Sequence, residues 1–161
     1  LNEALGAGGF ESRLMQEVRE KRGLTYGVST FLVSKFHADL VLGQVASANA
    51  TVAQAIDVIK AEWARMAQDG MTQEELDRVK TYLTGAYPLR FDGNADIAGI
   101  LVGMQMIGLP PEYVVNRNDM LNAVTLDDVN RVARELLRPE NLHFVVVGEP
   151  EGLEQAAGAP E

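Results

Sequence analysis

Cysteine is absent, so this chain can form neither a disulfide nor a thiolate metal site, and the redox compartment stays open. Histidine occurs only at His37 and His143, short of the three protein ligands that a hydrolytic zinc site requires. There is no H-x-x-E-H and no G-x-S-x-G, which removes a helical zinc site and a serine nucleophile elbow. Positive charge is scarce: 14 Lys and Arg face 23 Asp and Glu, a net charge of −9 that argues against a nucleic-acid partner. No apolar run approaches the roughly 20 residues of a membrane span. No initiator Met precedes Leu1, and the expectation is that any targeting segment lies outside this sequence, leaving cytoplasm and periplasm equally open. What is present is ordinary globular composition: 161 residues, 47% hydrophobic and 23% charged. That length suits one domain with a real core, expected over residues 1–149, with a flexible acidic tail over 150–161.

Residues 12 to 26 organise the rest. Ser12 is a good N-cap, and Gly23 can take the left-handed conformation that closes a helix. Leu14, Met15 and Val18 form one apolar stripe between them. Arg19, Lys21 and Arg22 crowd the last turn, where the helix dipole favours cations. Beyond Gly23 the period becomes that of a strand, with Tyr26, Val28 and Thr30 on one face and Gly27, Ser29 and Phe31 on the other. Arg19 and Tyr26 are therefore expected to project to the same end of a sheet.

Residues 1 to 6 read as the last turns of a helix, and Gly6, Gly8 and Gly9 as a tight turn without the Lys-Ser/Thr of a phosphate loop. Alternating segments at 25–34 and 36–46, separated by Ser34 and Lys35, predict a hairpin. His37 and Asp39 would share a strand face, but they are read as strand residues rather than as half of a metal site, and no metal is expected. Val52, Ile56, Ile59, Trp63 and Met66 then mark a helix stopped by Gly70, with Trp63 in the core. Thr72 with Glu75, and Thr125 with Asp128, form capping boxes, before inward Leu76, Val79 and Leu83 and before inward Val129, Val132, Ala133 and Leu136. The second of these helices should end at Pro139, the first near Tyr87-Pro88. Residues 94–107 predict a buried central helix, Gly108 to Pro111 a break opening another helix, and 142–147 a mostly buried strand. The order predicts an α+β fold, an antiparallel or mixed sheet with helices packed on one face as a two-layer sandwich.

The stretch Ser12-Arg13-Leu14, then Arg19 through Gly23-Leu24-Thr25-Tyr26, resembles the pitrilysin/insulinase family of zinc metallopeptidases, which includes mitochondrial processing peptidase. The likeness extends to Gly108-Leu109-Pro110-Pro111 and Ala123-Val124-Thr125-Leu126-Asp127-Asp128-Val129. It implies a truncated copy of the family's domain, lacking its N-terminal strands, and therefore an open sheet edge through which the chain could self-associate. It implies further that the chain is a non-catalytic half, inactive alone. Its partner would be a homologous domain or subunit carrying zinc on H-x-x-E-H, and the shared substrate a peptide or unfolded segment. Arg19 and Tyr26 occupy the spacing of the family's Arg/Tyr pair, whose donors suit a peptide carbonyl or a developing oxyanion. Two rivals stand beside this reading: a non-enzymatic scaffold subunit of the same family, and a generic module that binds peptides by strand addition.

Overall fold

The computed structural model describes residues 1–35 and 37–153, so most of the expected acidic tail, from residue 154 on, lies outside the described residues. The fold is α+β, as the element order predicts. It comprises two compact units, one built from residues 1–70 with those from 130 on, the other from residues 71–129.

The first unit opens on a wide helical turn, Glu3–Ala7, and a short 3-10 turn, Gly9–Glu11. A helix follows from residue 13, wound at π pitch over Met15–Glu20. Strands β1 (Gly27–Val33) and β2 (Leu40–Ala46) pair antiparallel, with Val28 opposite Val45 and Thr30 opposite Gly43. Helix α1 (Val52–Asp69) completes this part and ends at Gly70, whose φ of 74° permits the chain to leave the helix. The core is the one the apolar spacing predicts: Leu14, Met15 and Val18 meet Ile56, Ile59, Trp63 and Met66, all buried. On the sheet, Val28 and Thr30 point into this core. Gly6 lies so close to Thr30 that a Cβ on it would stand 2.5 Å from Oγ1, which requires glycine there. The Thr30 hydroxyl donates to Asn2 Oδ1 at 2.8 Å, tying the first residues to the strand.

Three strand expectations are corrected. The second strand begins at Leu40, not residue 36, and a longer connection that includes His37 and Asp39 replaces the tight Ser34-Lys35 turn. Asp39 is used in that connection, where its Oδ1 accepts the Lys35 N–H at 3.3 Å. Residues 142–147 are not a strand, and Val145 is 91% exposed. Alternation and β-branching mark a segment able to pair, but a ladder needs a neighbour, and among the described residues this segment has none. Tyr26 precedes β1 and faces solvent instead of sharing the buried face of Val28 and Thr30.

The second unit holds α2 (Gln73–Ala86), α3 (Asn94–Met106) and α4 (Tyr113–Ala123). Thr72 and Glu75 make both bonds of the predicted capping box. Thr125 and Asp128 likewise exchange bonds, each accepting the other's backbone N–H at 3.2 and 3.0 Å, at the head of α5 (Leu126–Leu136). The division between the units falls within α5, where Val129 of the second unit and Ala133 of the first are buried, and Leu137 just beyond the helix is buried in place of the expected Leu136. Helix α3 corrects a further expectation: it buries only Met104 and leaves Met106 78% exposed. Its apolar residues encircle the helix instead of forming a stripe, so no single side is selected for burial.

Candidate functional site

The site is set by how the Arg19 helix begins and ends. Ser12 is fully buried, its Oγ donating to the Gly9 C=O at 2.8 Å and accepting the Met15 N–H at 3.4 Å. This is the predicted N-cap. At the other end Gly23, at φ 62°, donates to the Arg19 C=O and Leu24 donates to the Val18 C=O. Each bond spans one residue more than in the usual glycine-closed helix end, which follows from the π pitch that the Lys21 N–H to Gln16 C=O bond records. Such wide turns rotate the residues after them relative to an ordinary helix, and they recur at functional sites.

Glu17 anchors this helix. Its carboxylate is buried and accepts Lys21 Nζ at 2.5 Å and Arg22 Nη1 at 2.6 Å, with Arg65 Nη2 of α1 at 3.6 Å. Hydrogen bonds from Lys21 and then Arg22 hold its pKa down to about 2. Beside it Glu62 of α1 is also buried and pairs with Arg65. Burial pushes the Glu62 pKa up, and the Glu17 charge adds to the effect, while Arg65 opposes it. Two of the three cations that the sequence assigns to the helix dipole, Lys21 and Arg22, are thus partners of a buried carboxylate, whereas Arg19 is not. Glu17 itself gave no signal in the sequence, because a single Glu inside a charged helix end reads as solvated.

With the helix pinned, Arg19 lies half-buried at the surface, its side chain 26% exposed. Its guanidinium carbon lies 4.7 Å from the Phe10 ring centroid and 5.1 Å from that of Tyr26. Its Nε stands 3.5 Å from Glu20 Oε1. Tyr26 is 87% exposed, and its hydroxyl has no hydrogen-bond partner among the described residues. The backbone around it is held: Thr25 Oγ1 donates to the Ala46 C=O at 2.6 Å and accepts the Gly27 N–H at 3.0 Å, and Ser47 Oγ donates to the Leu24 C=O at 2.6 Å. Arg19 and Tyr26 therefore meet at one corner on a hydrogen-bonded backbone, where the Arg19 Nη groups and the Tyr26 hydroxyl have no partner among the described residues.

Phe10 is the member of this cluster that the sequence did not disclose. An isolated aromatic in a glycine turn has no periodicity to interpret, and only the fold brings it to Arg19. The two histidines do not join the site. His37 lies in the β1–β2 connection, His143 outside any helix or strand, and no three His, Cys, Asp or Glu side chains converge among the described residues. Among the described residues, no set of side chains has the three ligands that zinc takes. No described helix is long and apolar enough to cross a membrane.

The sequence profile of the peptidase M16 inactive domain matches residues 1–83, and the chain belongs to that family. A zinc protease of Streptomyces coelicolor, itself uncharacterized, is 36% identical over 140 residues, covering 85% of this chain and 30% of that protein. A non-peptidase homolog, YmxG, of Helicobacter pylori is 28% identical over 142 residues, covering 87% of this chain and 32% of that protein. The crystal structure of a peptidase M16 inactive domain from Pseudomonas fluorescens superposes with a TM-score of 0.76 at 32% identity, over 86% of this chain and 33% of that one. The chain thus spans about a third of the length of the relatives it matches.

Proposed function

We propose that this chain serves as the substrate-contacting half of a zinc metalloendopeptidase acting on peptides or unfolded segments, with Arg19 and Tyr26 contributed to a composite site. The zinc belongs to a homologous half, in the same polypeptide or in a separate subunit. One observation carries the proposal: the Arg19 guanidinium and the Tyr26 ring lie 5.1 Å apart at an exposed corner, and the Tyr26 hydroxyl is unpartnered among the described residues. A guanidinium and a phenol both donate, so a peptide carbonyl entering this corner is met by two donors, and negative charge growing on its oxygen strengthens both bonds. Family membership as the inactive domain supports the absence of a catalytic group of its own.

The test combines the chain with its zinc-bearing half and compares peptide cleavage by wild type, Arg19→Ala and Tyr26→Phe. Loss of a donor to a transition-state oxygen lowers kcat on the order of 10²-fold with the fold intact. Variants that cleave like wild type replace this reading with the scaffold subunit or the peptide-binding module; the Helicobacter pylori relative is a non-peptidase homolog.

A second role rests on the sheet. In β2, Leu40, Val41 and Leu42 are all exposed, so apolar residues of both faces meet solvent beside a ladder edge that no further strand covers among the described residues. The proposal includes self-association through this edge by strand addition. Light scattering should show a mass that rises with concentration, and a clean monomer at high concentration removes the idea.

A further inference from the structure

We propose that Phe10 is a positioning residue: with Tyr26 it holds the plane of the Arg19 guanidinium, so that the Nη edge is the part offered to a ligand. The use of that edge on a peptide carbonyl rests on the reading of the site given above, whereas the hold of Phe10 on Arg19 stands on this chain alone.

Three observations meet here. The Arg19 guanidinium carbon is closer to the Phe10 centroid, at 4.7 Å, than to that of Tyr26, at 5.1 Å. The Nε side faces Glu20 Oε1 at 3.5 Å, and the Nη groups have no partner among the described residues. Phe10 is 59% exposed, yet its backbone is fixed: Gln16 Nε2 donates to the Phe10 C=O at 2.7 Å, and Ser12 bonds back to Gly9 on its other side. A ring so exposed adds little to the core, but the turn that carries it is tied twice to the start of the Arg19 helix. Stacking engages the face of a guanidinium and leaves its edge free to donate, a division that an ammonium cannot make. A free arginine samples many rotamers, and a carbonyl must capture it in one of them. An arginine flanked by two rings meets the carbonyl in fewer orientations, and the effect falls on the step in which the oxygen becomes more negative.

The variants are Phe10→Leu, which keeps a bulky apolar side chain without a π face, and Phe10→Tyr, which restores the face. On the chain by itself, NMR of the Arg19 δ and ε protons reads the ring-current shift. That shift should fall in Phe10→Leu and return in Phe10→Tyr, with the urea midpoint unchanged in both. Arg19 signals in Phe10→Leu that match wild type overturn the proposal. In the assembled peptidase, Phe10→Leu should lower kcat about tenfold with little change in KM, and Phe10→Tyr should stay near wild type. If Arg19→Ala abolishes cleavage while Phe10→Leu leaves kcat intact, Phe10 does not position Arg19 for reaction. If Arg19→Ala has no effect, the peptidase reading fails, and the NMR shift alone decides whether Phe10 holds Arg19.

Discussion

The helix that carries Arg19 and the helix α3 are both rich in apolar residues, yet the first is held from several sides and the second is mostly bare. Leu14, Met15 and Val18 lie on one side of the Arg19 helix and are all buried, while Glu17 ties it to Lys21, Arg22 and Arg65. In α3, Ile97, Ile100, Leu101, Val102, Met104 and Met106 point in every direction, and only Met104 is buried. Hydrophobicity alone does not orient a helix. A stripe does, and a buried carboxylate shared by several cations then fixes its rotation and end point. That is the condition a donor such as Arg19 needs, because its usefulness depends on direction.

The largest expected effect lies in the packed helix. Leu14→Ala removes a side chain that is almost fully buried, and should cost about 3 kcal/mol in urea unfolding. A loss below about 1 kcal/mol would mean that the Arg19 helix is not seated on α1 as described.

Next comes the carboxylate cluster. Glu17→Gln keeps the shape and removes the charge that three cations surround, and should cost about 2 kcal/mol, with the exposure of Lys21 and Arg22 moderating the loss. The same residue sets a pH dependence. Its pKa falls from the ordinary 4.5 to about 2 in the folded protein, so its stabilisation is present above 4.5 and disappears as the pH drops toward 2. After screening this amounts to on the order of 1–2 kcal/mol. Glu62 works in the opposite sense, since its raised pKa makes ionisation costly and removes stability as the pH rises through the carboxylate range. Urea midpoints between pH 2.5 and 6 should therefore fall with acid in wild type and much less in Glu17→Gln. Equal slopes would show that Glu17 is solvated and its cations are incidental.

A smaller effect is expected at the head of α2. Thr72→Ala removes the hydroxyl that accepts the Glu75 N–H at 3.2 Å, and leaves Glu75 with half of its capping box. It should cost about 1 kcal/mol, read as faster amide exchange in the first turn of α2.

How much of this was legible in the sequence depends on whether an element carries its own instructions. The Ser12 cap, Gly23 closure, α1 stripe and both capping boxes are local: their residues are neighbours in the chain, and each appears where the spacing places it. The hairpin was legible in existence but not in its turn, because no Asn-Gly fixed the connection. Residues 142–147 show the limit: a β-branched run records what a segment can do, whereas pairing depends on a partner strand that no residue of the run specifies. That Arg19 and Tyr26 come close was expected from the helix-to-strand pattern around Gly23, and the family resemblance added only a role for them. Phe10 and Glu17 were not foreseen, since their significance comes from contacts at nine and more residues' distance or from burial that composition hides.

The smallest effect should come from α3. Val102 and Met106 are 56% and 78% exposed, so replacing both with Ser removes little packed area and leaves the helix backbone free to hydrogen-bond as before. Serine has a slightly lower helix propensity than Met and about the same as Val, so each replacement should cost within about 0.5 kcal/mol. Binding of the dye ANS should fall with the apolar surface removed, while the urea midpoint barely moves. A loss of 2 kcal/mol or more would require that these side chains be covered in solution. Helix α3 would then resemble the Arg19 helix after all, with a packed side supplied by something other than its own sequence period.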